Sequence, residues 1–119
     1  MKRDMELVRR ILLKLERHDH GNAPESFEIS GYSEEETGYH CYLLNEAGLI
    51  EATNITAHEL ESPFAVPINL TWDGHEFIQN AHNDKVWKQA KEAISKLGDV
   101  SFSVWANVLS KVVLKNLEI

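Results

Sequence analysis

The stretch His40-Cys41-Tyr42-Leu43-Leu44-Asn45-Glu46-Ala47-Gly48-Leu49-Ile50 decides the fold of this chain. Its core-type residues fall on one helical face, with a histidine one turn before the apolar ones: His40, Leu43, Leu44 and Ala47. Gly48 follows where a helix end favours a left-handed residue, and an apolar run resumes at once. The stretch therefore predicts a helix that ends on glycine and leads directly into a strand. A winged helix-turn-helix domain leaves its third helix in this way.

The net charge of −7 is distributed unevenly over the 119 residues. Residues 1–17 carry six Lys or Arg and three Asp or Glu, and residues 85–119 carry the same numbers. Residues 18–84 carry thirteen Asp or Glu and neither Lys nor Arg. This middle segment predicts an acidic surface, which repels a polyanion such as DNA.

The composition is typical of one globular domain, with 43% apolar and 26% charged residues. No apolar run approaches the roughly 18 residues of a membrane span, and the N-terminus lacks the apolar core of a signal peptide. We therefore expect a cytoplasmic protein that does not enter a membrane. Cys41 is the single cysteine, so no internal disulfide can form.

Periodicity, capping residues and chain breakers predict the elements in order. The first half contains a helix over 4–17, a short strand over 27–29 and a helix over 34–47 with a capping box at Ser33 and Glu36. Two strands follow, over 49–55 and 65–70. The rest is helical: a helix opened by Thr71, a helix over 85–97 ended by Gly98, and a last helix from Ser101 or Ser103 to Leu117. Gly38 costs its helix on the order of 1 kcal/mol relative to Ala and indicates a bend or a close approach.

These elements predict an α+β fold with two parts. Residues 1–82 form a winged helix-turn-helix-like domain with a small β-hairpin wing, and residues 83–119 form a C-terminal helical pair packed on it as one structural unit. The last helix is apolar over more than half of its circumference, so it needs cover on two sides. It either docks between the preceding helix and the first helix or contributes to a homodimer seam. The seam residues are Val104, Val108 and Leu114.

Three blocks of the sequence resemble one bacterial family. They are residues 1–13, Tyr39-His40 with residues 46–50, and residues 70–77 followed by Trp87. Over nearly its whole length the chain resembles the domain of unknown function 2513 family, whose members are often carried by prophages. The resemblance implies a small winged-helix-like protein without an assigned activity or catalytic residues. Residues 30–47 have room for only one good helix, so the supporting helix of a standard helix-turn-helix is shortened or missing.

The predicted recognition helix presents a surface with several carboxylates and no cation. Its outward residues are Glu34, Glu35, Tyr39, Tyr42, Asn45 and Glu46, with Gly38 among them. This surface favours a basic protein partner, by charge complementarity, or is simply solvated. DNA binding is the alternative, with Asn45 as a possible adenine reader. Phosphate contacts would then come from the first helix, through Arg9, Arg10, Lys14 and Arg17.

Catalytic and metal-binding chemistry have little support in the sequence. No histidine or cysteine pair has zinc-ligand spacing, and His40 is interpreted as a core histidine with a hydrogen bond. No phosphate loop or nucleophile elbow is present, and Cys41 lies on a carboxylate-rich helix that disfavours its thiolate. Trp72, Trp87 and Trp105 are interpreted as core anchors. We expect no enzyme activity, no cofactor and no metal. The sequence favours a non-catalytic, prophage-associated regulatory or adaptor protein, and the alternative is a DNA-binding transcriptional regulator.

Overall fold

The computed structural model describes residues 1–118 and has an α+β fold. Within that range it contains five helices and one antiparallel two-stranded sheet. In chain order the elements are α1 (Met5–Arg17), α2 (Glu34–Glu46), β1 (Ile50–Asn54), β2 (Ala65–Leu70), α3 (Trp72–Ala81), α4 (Asp84–Ser95) and α5 (Phe102–Leu117). The predicted helices and the predicted hairpin are all present, with ends that differ by one or two residues.

Backbone contacts divide the chain into two compact units, Met1–His75 and Glu76–Ile119. The boundary crosses α3, whereas the sequence predicted a division between residues 82 and 83. That predicted division, and the packing of one part on the other, stay predictions. Ile119, the last residue of the predicted C-terminal segment, lies outside the described residues.

The core of the first unit is built on α1. Asp4 caps this helix, and its carboxylate accepts hydrogen bonds from the backbone N–H groups of Glu6 and Leu7, over 2.9 and 3.2 Å. The largest side chains of the helix that are fully buried are Leu7, Ile11 and Leu12. Burying three such side chains stabilises the fold by about 5 kcal/mol or more.

Helix α2 begins and ends as its sequence predicts. The Ser33 hydroxyl accepts from the Glu36 N–H, and the Glu36 carboxylate accepts from the Ser33 N–H, which completes the capping box. At the other end Gly48 has φ +80°, and the Leu49 N–H bonds back to the Leu44 carbonyl over 2.9 Å. The predicted sequence of helix, glycine and strand is confirmed.

The buried face of α2 differs from the predicted one. The predicted core residue Ala47 is exposed and Leu43 is only half-buried, whereas Gly38 and Cys41, which were not predicted as core, are buried. The cause is Phe64, whose ring lies directly on Gly38, since a Cβ at Gly38 would stand 2.3 Å from that ring. The close approach indicated by Gly38 is therefore confirmed, and it rotates the face that the helix buries.

The sheet pairs β1 with β2 and is irregular at one place. Glu51 pairs with Asn69 while Ala52 pairs with Pro67, so β2 carries one extra residue in a β-bulge. At this irregular position the Ala52 N–H donates to the side-chain oxygen Oδ1 of Asn45 on α2. The bulge thus joins the hairpin to the end of the helix before it.

The prediction of a strand at Phe27-Glu28-Ile29 is wrong, because these residues are not paired in the sheet. The carbonyls of residues 28 and 29 and of the next residue, Ser30, accept hydrogen bonds from outside the sheet. The Glu28 carbonyl accepts from Lys14 Nζ, the Ile29 carbonyl from the Tyr32 N–H, and the Ser30 carbonyl from Arg10. Pro67 also removes a backbone donor from β2.

The second unit is held by aromatic contacts between helices. The rings of Trp87 and Trp105 stack at 4.7 Å, and those of Phe77 and Phe102 lie at the same distance. Asn83 caps α4, and Ser101, one of the two predicted caps, caps α5. Two residues of the predicted apolar face of α4, Ala93 and Leu97, are exposed instead, because α5 covers only one side of that helix.

Candidate functional site

The outer side of α2 carries an acidic surface. Glu34, Glu35 and Glu46 are exposed, and the rings of Tyr39 and Tyr42 stack between the two ends of the helix at 6.4 Å with an angle of 17° between their planes. We call these five residues the acidic face of α2. Glu34 and Glu35 lie in the first turn, where carboxylates are stabilised by the helix dipole. The face offers carboxylates and two phenol rings to a partner, and no cation.

Asn45, predicted on the same surface, has a structural role. It is half-buried, and its Oδ1 accepts the Ala52 N–H over 3.1 Å. A base-reading asparagine needs both its oxygen and its amide nitrogen at the groove edge. Because its oxygen holds the hairpin, Asn45 cannot read adenine without releasing β1. The placement of Asn45 on the free outer surface is therefore corrected.

Glu35 joins the acidic face to the loop of the hairpin. Its Oε1 accepts a hydrogen bond from the Ser62 hydroxyl over 2.8 Å. The same loop carries the exposed residues Glu59 and Glu61 and the exposed apolar side chains Ile55 and Leu60. The loop therefore extends the negative charge of α2 and adds apolar surface next to it.

Of the four α1 residues predicted to contact phosphates, one is buried and two are hydrogen-bonded to backbone carbonyls. Arg9, predicted on an outer side, is only 7% exposed, because apolar residues around nearly the whole of α1 are covered. Arg10 bonds to the Ser30 carbonyl and lies near Glu6 and the Tyr32 ring. Lys14 bonds to the Glu28 carbonyl with its ammonium 5.2 Å from the Phe27 ring centre. Arg17, the fourth, is exposed at the end of the helix.

His40 is a core histidine, as predicted. It is 1% exposed, its Nδ1–H donates to the Glu36 carbonyl over 2.8 Å, and its Nε2 accepts the Asp4 N–H over 2.8 Å. Both bonds are satisfied only by the neutral ring with its proton on Nδ1. The ring therefore links the start of α1 to α2, and neither nitrogen is left for a metal ion.

The thiol of Cys41 is buried and unreactive. The residue is 1% exposed, and burial raises the pKa of its thiol to about 12. Such a thiol carries almost no thiolate at neutral pH, and the thiolate is the reactive form. Within residues 1–118 no three His, Cys, Asp or Glu side chains are grouped closely enough to hold a metal ion.

A groove lies between residues 26–32 and α2. Its wider part has a volume of about 800 Å³ and is lined by Lys14, residues 26–32, Glu34 and Thr37. A smaller pocket of about 150 Å³ shares Phe27, Glu34 and Thr37 with it. The remaining residues of the smaller pocket are Gly38, Cys41, Phe64, Ala65, Val66 and Pro67. The acidic face of α2 thus borders a pocket with two phenylalanines in its wall.

The predicted dimer-seam residues lie in the second unit on α5. Leu114 is 62% exposed and Val104 37% exposed, while Val108 is half-buried. Exposed apolar side chains on one helix are consistent with a seam, and the homodimer stays a prediction.

The family model described as "Hypothetical protein (DUF2513)" matches residues 2–100. The chain belongs to the DUF2513 family. It is also 36% identical to a protein of Haemophilus influenzae (strain ATCC 51907 / DSM 11121 / KW20 / Rd) described as "Uncharacterized protein", over 98% of this chain and 99% of that relative. No solved structure matches the chain. The family resemblance of the sequence blocks is therefore confirmed, and no residue role comes with it. Among the described residues, no helix is long and apolar enough to cross a membrane.

Two features of this DUF2513 protein escaped sequence reasoning. Trp72, interpreted as a core anchor, is 79% exposed, because it occupies the first position of α3, with Phe77 and Ile78 on the buried side. The pocket walls Phe27 and Phe64 come from segments 37 residues apart. The unfavourable Gly38 in the interior of a helix was the one available signal, since it indicated that a bulky group packs there.

Proposed function

We propose that this DUF2513 member is a non-catalytic, prophage-associated regulatory or adaptor protein that acts by binding another protein. The scaffold is a winged-helix-like domain, a proposal supported by the glycine exit of α2 into the hairpin. The binding surface is the acidic face of α2, and the partner surface is basic.

One observation carries the proposal. Residues 18–84, which contain α2 and the whole hairpin, hold thirteen Asp or Glu and neither Lys nor Arg. In a helix-turn-helix protein these elements meet the DNA, and cations around them neutralise phosphates. Here the same elements repel a polyanion and attract a basic protein, which speeds association and fixes its orientation.

The first helix does not replace the missing cations. Arg9 is buried, and the charged groups of Arg10 and Lys14 are held by the carbonyls of residues 28 and 30. Turning these two side chains to phosphates would release the segment that they fasten to α1. The free-energy cost of releasing this segment adds to the electrostatic repulsion between α2 and DNA.

Affinity capture from the native bacterial host with charge-reversal variants tests the proposal. Glu34→Lys combined with Glu46→Lys reverses two exposed charges of the acidic face. Glu92→Lys combined with Glu118→Lys reverses two exposed charges in the second unit and is the matched control. We expect a basic protein to be captured by the native chain and by the control, and to be lost with the double variant. Circular dichroism checks that all three fold. Recovery of no partner above background, together with tight DNA binding, would refute the proposal.

A DNA-binding transcriptional regulator is the second candidate. Exposed cations outside the acidic segment favour it, namely Arg17 on α1 and Lys85, Lys88 and Lys96 in or next to α4. Such a protein would use these terminal basic segments and the geometry of a dimer, and not the outer face of α2. Its affinity for a duplex must then fall steeply with salt.

A further inference from the structure

The smaller pocket beside α2 has the size of one side chain. Its volume is about 150 Å³, which equals that of an engineered apolar cavity of about 150 Å³ that binds benzene. Phe27 and Phe64 contribute aromatic rings to its wall, and Val66, Pro67 and Cys41 add apolar or weakly polar surface. A phenyl ring or a branched aliphatic group is therefore the fitting occupant.

The pocket owes its shape to Gly38. Any side chain at this position would meet three atoms of the Phe64 ring at 2.6 Å or less, so only glycine allows the ring to lie against the helix. Glycine also weakens the helix by roughly 1 kcal/mol relative to alanine. The protein thus carries a helix-weakening residue where an aromatic ring forms one wall of a pocket.

Charge indicates what kind of chain delivers that side chain. Glu34 borders both the pocket and the wider groove, and it is exposed on the acidic face of α2. Every residue that lines the pocket comes from the segment 18–84, which has no Lys or Arg. Lys14 lines the wider groove only, where its ammonium bonds to the Glu28 carbonyl. A segment that carries Lys or Arg beside its apolar residue complements this surface.

We propose that the pocket receives one aromatic or branched aliphatic side chain from a basic segment of a partner protein, and that a neighbouring Lys or Arg of that segment pairs with Glu34. The inference rests on the proposed function and gives its binding surface an anchor point. Buried anchors of this kind supply most of the affinity of protein interfaces. The wider groove, which shares Phe27, Glu34 and Thr37 with the pocket, accommodates the backbone of the segment.

Short peptides titrated into isotope-labelled full-length protein test the proposal by NMR. The probes are acetylated amides of Lys-Phe-Lys, Lys-Ala-Lys, Glu-Phe-Glu and Ser-Phe-Ser. We expect Lys-Phe-Lys to shift the amide signals of Thr37, Cys41 and Val66, and to bind about tenfold more tightly than Lys-Ala-Lys, because only the former buries a ring. Glu-Phe-Glu should bind more weakly than Ser-Phe-Ser. Equal binding of Lys-Phe-Lys and Lys-Ala-Lys, or shifts confined to other regions, would overturn the proposal.

Two substitutions on the same helix form a matched pair. Glu34→Gln should weaken Lys-Phe-Lys about threefold, as expected for an exposed ion pair, and leave Ser-Phe-Ser unchanged. Glu46→Gln removes another exposed carboxylate of α2, one that does not line the pocket, and it should change neither affinity. If both variants weaken Lys-Phe-Lys equally, the peptide responds to net charge only and the pairing with Glu34 is refuted.

A variant with a filled pocket distinguishes failure of this inference from failure of the proposed function. Val66→Phe should occupy the pocket and abolish the shifts caused by Lys-Phe-Lys, and it should also release a partner captured by the native chain. Capture that survives Val66→Phe but is lost on reversal of Glu34 and Glu46 refutes the anchor and leaves the proposed function intact. Shifts at the pocket that appear on raising the protein concentration alone identify a second copy as the occupant, which refutes it too. If Val66→Phe does not fold, the peptide series and the Glu34 and Glu46 pair decide.

Discussion

The side-chain oxygen of Asn45 accepts the backbone N–H of Ala52, and this 3.1 Å bond joins the end of α2 to β1, opposite the bulge of β2. The bond decides how α2 is understood. The one residue of its outer surface suited to reading a base holds the hairpin in place, and what remains exposed is carboxylate. The helix that the sequence predicted as a recognition helix therefore has the chemistry of a surface for basic groups.

Replacement of Asn45 tests this bond. Asn45→Ala leaves the Ala52 N–H without its acceptor in a half-buried place, and we expect a loss of about 1–2 kcal/mol in the free energy of unfolding. Asn45→Asp keeps an acceptor oxygen and should lose less. Urea unfolding measures both. A free energy unchanged in Asn45→Ala would mean that the side chain is free at the surface and available for base reading.

Because Phe64 contacts Gly38, we expect the effect of Gly38→Ala on the free energy of unfolding to change sign when Phe64 is removed. With Phe64 present, Gly38→Ala should destabilise the protein, because the added Cβ meets the ring. In a Phe64→Ala background the same substitution should stabilise it by up to about 1 kcal/mol, since alanine favours the helix. A double-mutant cycle in urea measures the coupling between the two positions. Equal effects of Gly38→Ala in both backgrounds would show that the ring does not contact the helix.

The thiol of Cys41 should resist modification in the folded protein. Burial raises its pKa to about 12 from an ordinary value of 9.0, so at pH 8 nearly every folded molecule carries the neutral thiol. A disulfide reagent such as Ellman's should react only on unfolding, and its rate should rise with urea. Rapid reaction of one thiol per chain without denaturant would contradict the buried placement.

The same pKa gives a pH dependence of stability. Below pH 9 the thiol is protonated in the folded and the unfolded chain, and it contributes nothing to the change with pH. From about pH 9 to about pH 12 only the unfolded chain ionises, so the free energy of unfolding falls as pH rises. Cys41→Ala should show a shallower fall over this range than the native chain. An equal fall in the free energy of unfolding with pH in the two proteins would contradict the raised pKa of Cys41.

The exposed apolar residues of α5 predict a homodimer at high concentration. Leu114→Lys places a charge in the predicted seam and should yield a monomeric mass by light scattering, whereas we expect a dimeric mass for the native chain. Leu97→Lys is the control, because Leu97 is 77% exposed and lies outside the seam. A monomeric native chain at high concentration refutes the seam.

Local signals were enough to predict most of the fold. The capping box at Ser33, the left-handed Gly48 and the Thr71 hydroxyl that accepts the Gly74 N–H each act within a few residues, and all are present. The helix that follows Asn83 and the helix capped by Ser101 were found in the same way.

Contacts between distant residues account for what the sequence did not reveal. The buried face of α2 depends on Phe64, which lies 26 residues after Gly38. The unpaired segment 27–29 depends on Lys14 and Arg10, whose spacing on a helix indicates only that they face away from the core. The pocket depends on both arrangements, so no pattern within one element could predict it.

Fluorescence anisotropy with a labelled duplex tests most directly whether the α2 surface is built for something other than nucleic acid. Random and phage-derived duplexes are titrated at about 50 mM and about 200 mM salt, the range over which real phosphate interfaces lose on the order of a thousandfold or more in affinity. For the native chain we expect no saturable binding at either salt concentration, and Arg17→Ala should change nothing. Tight binding at low salt that falls steeply with salt, that persists in Arg17→Ala and that is weakened in Tyr42→Ala on the acidic face of α2, would contradict the central claim.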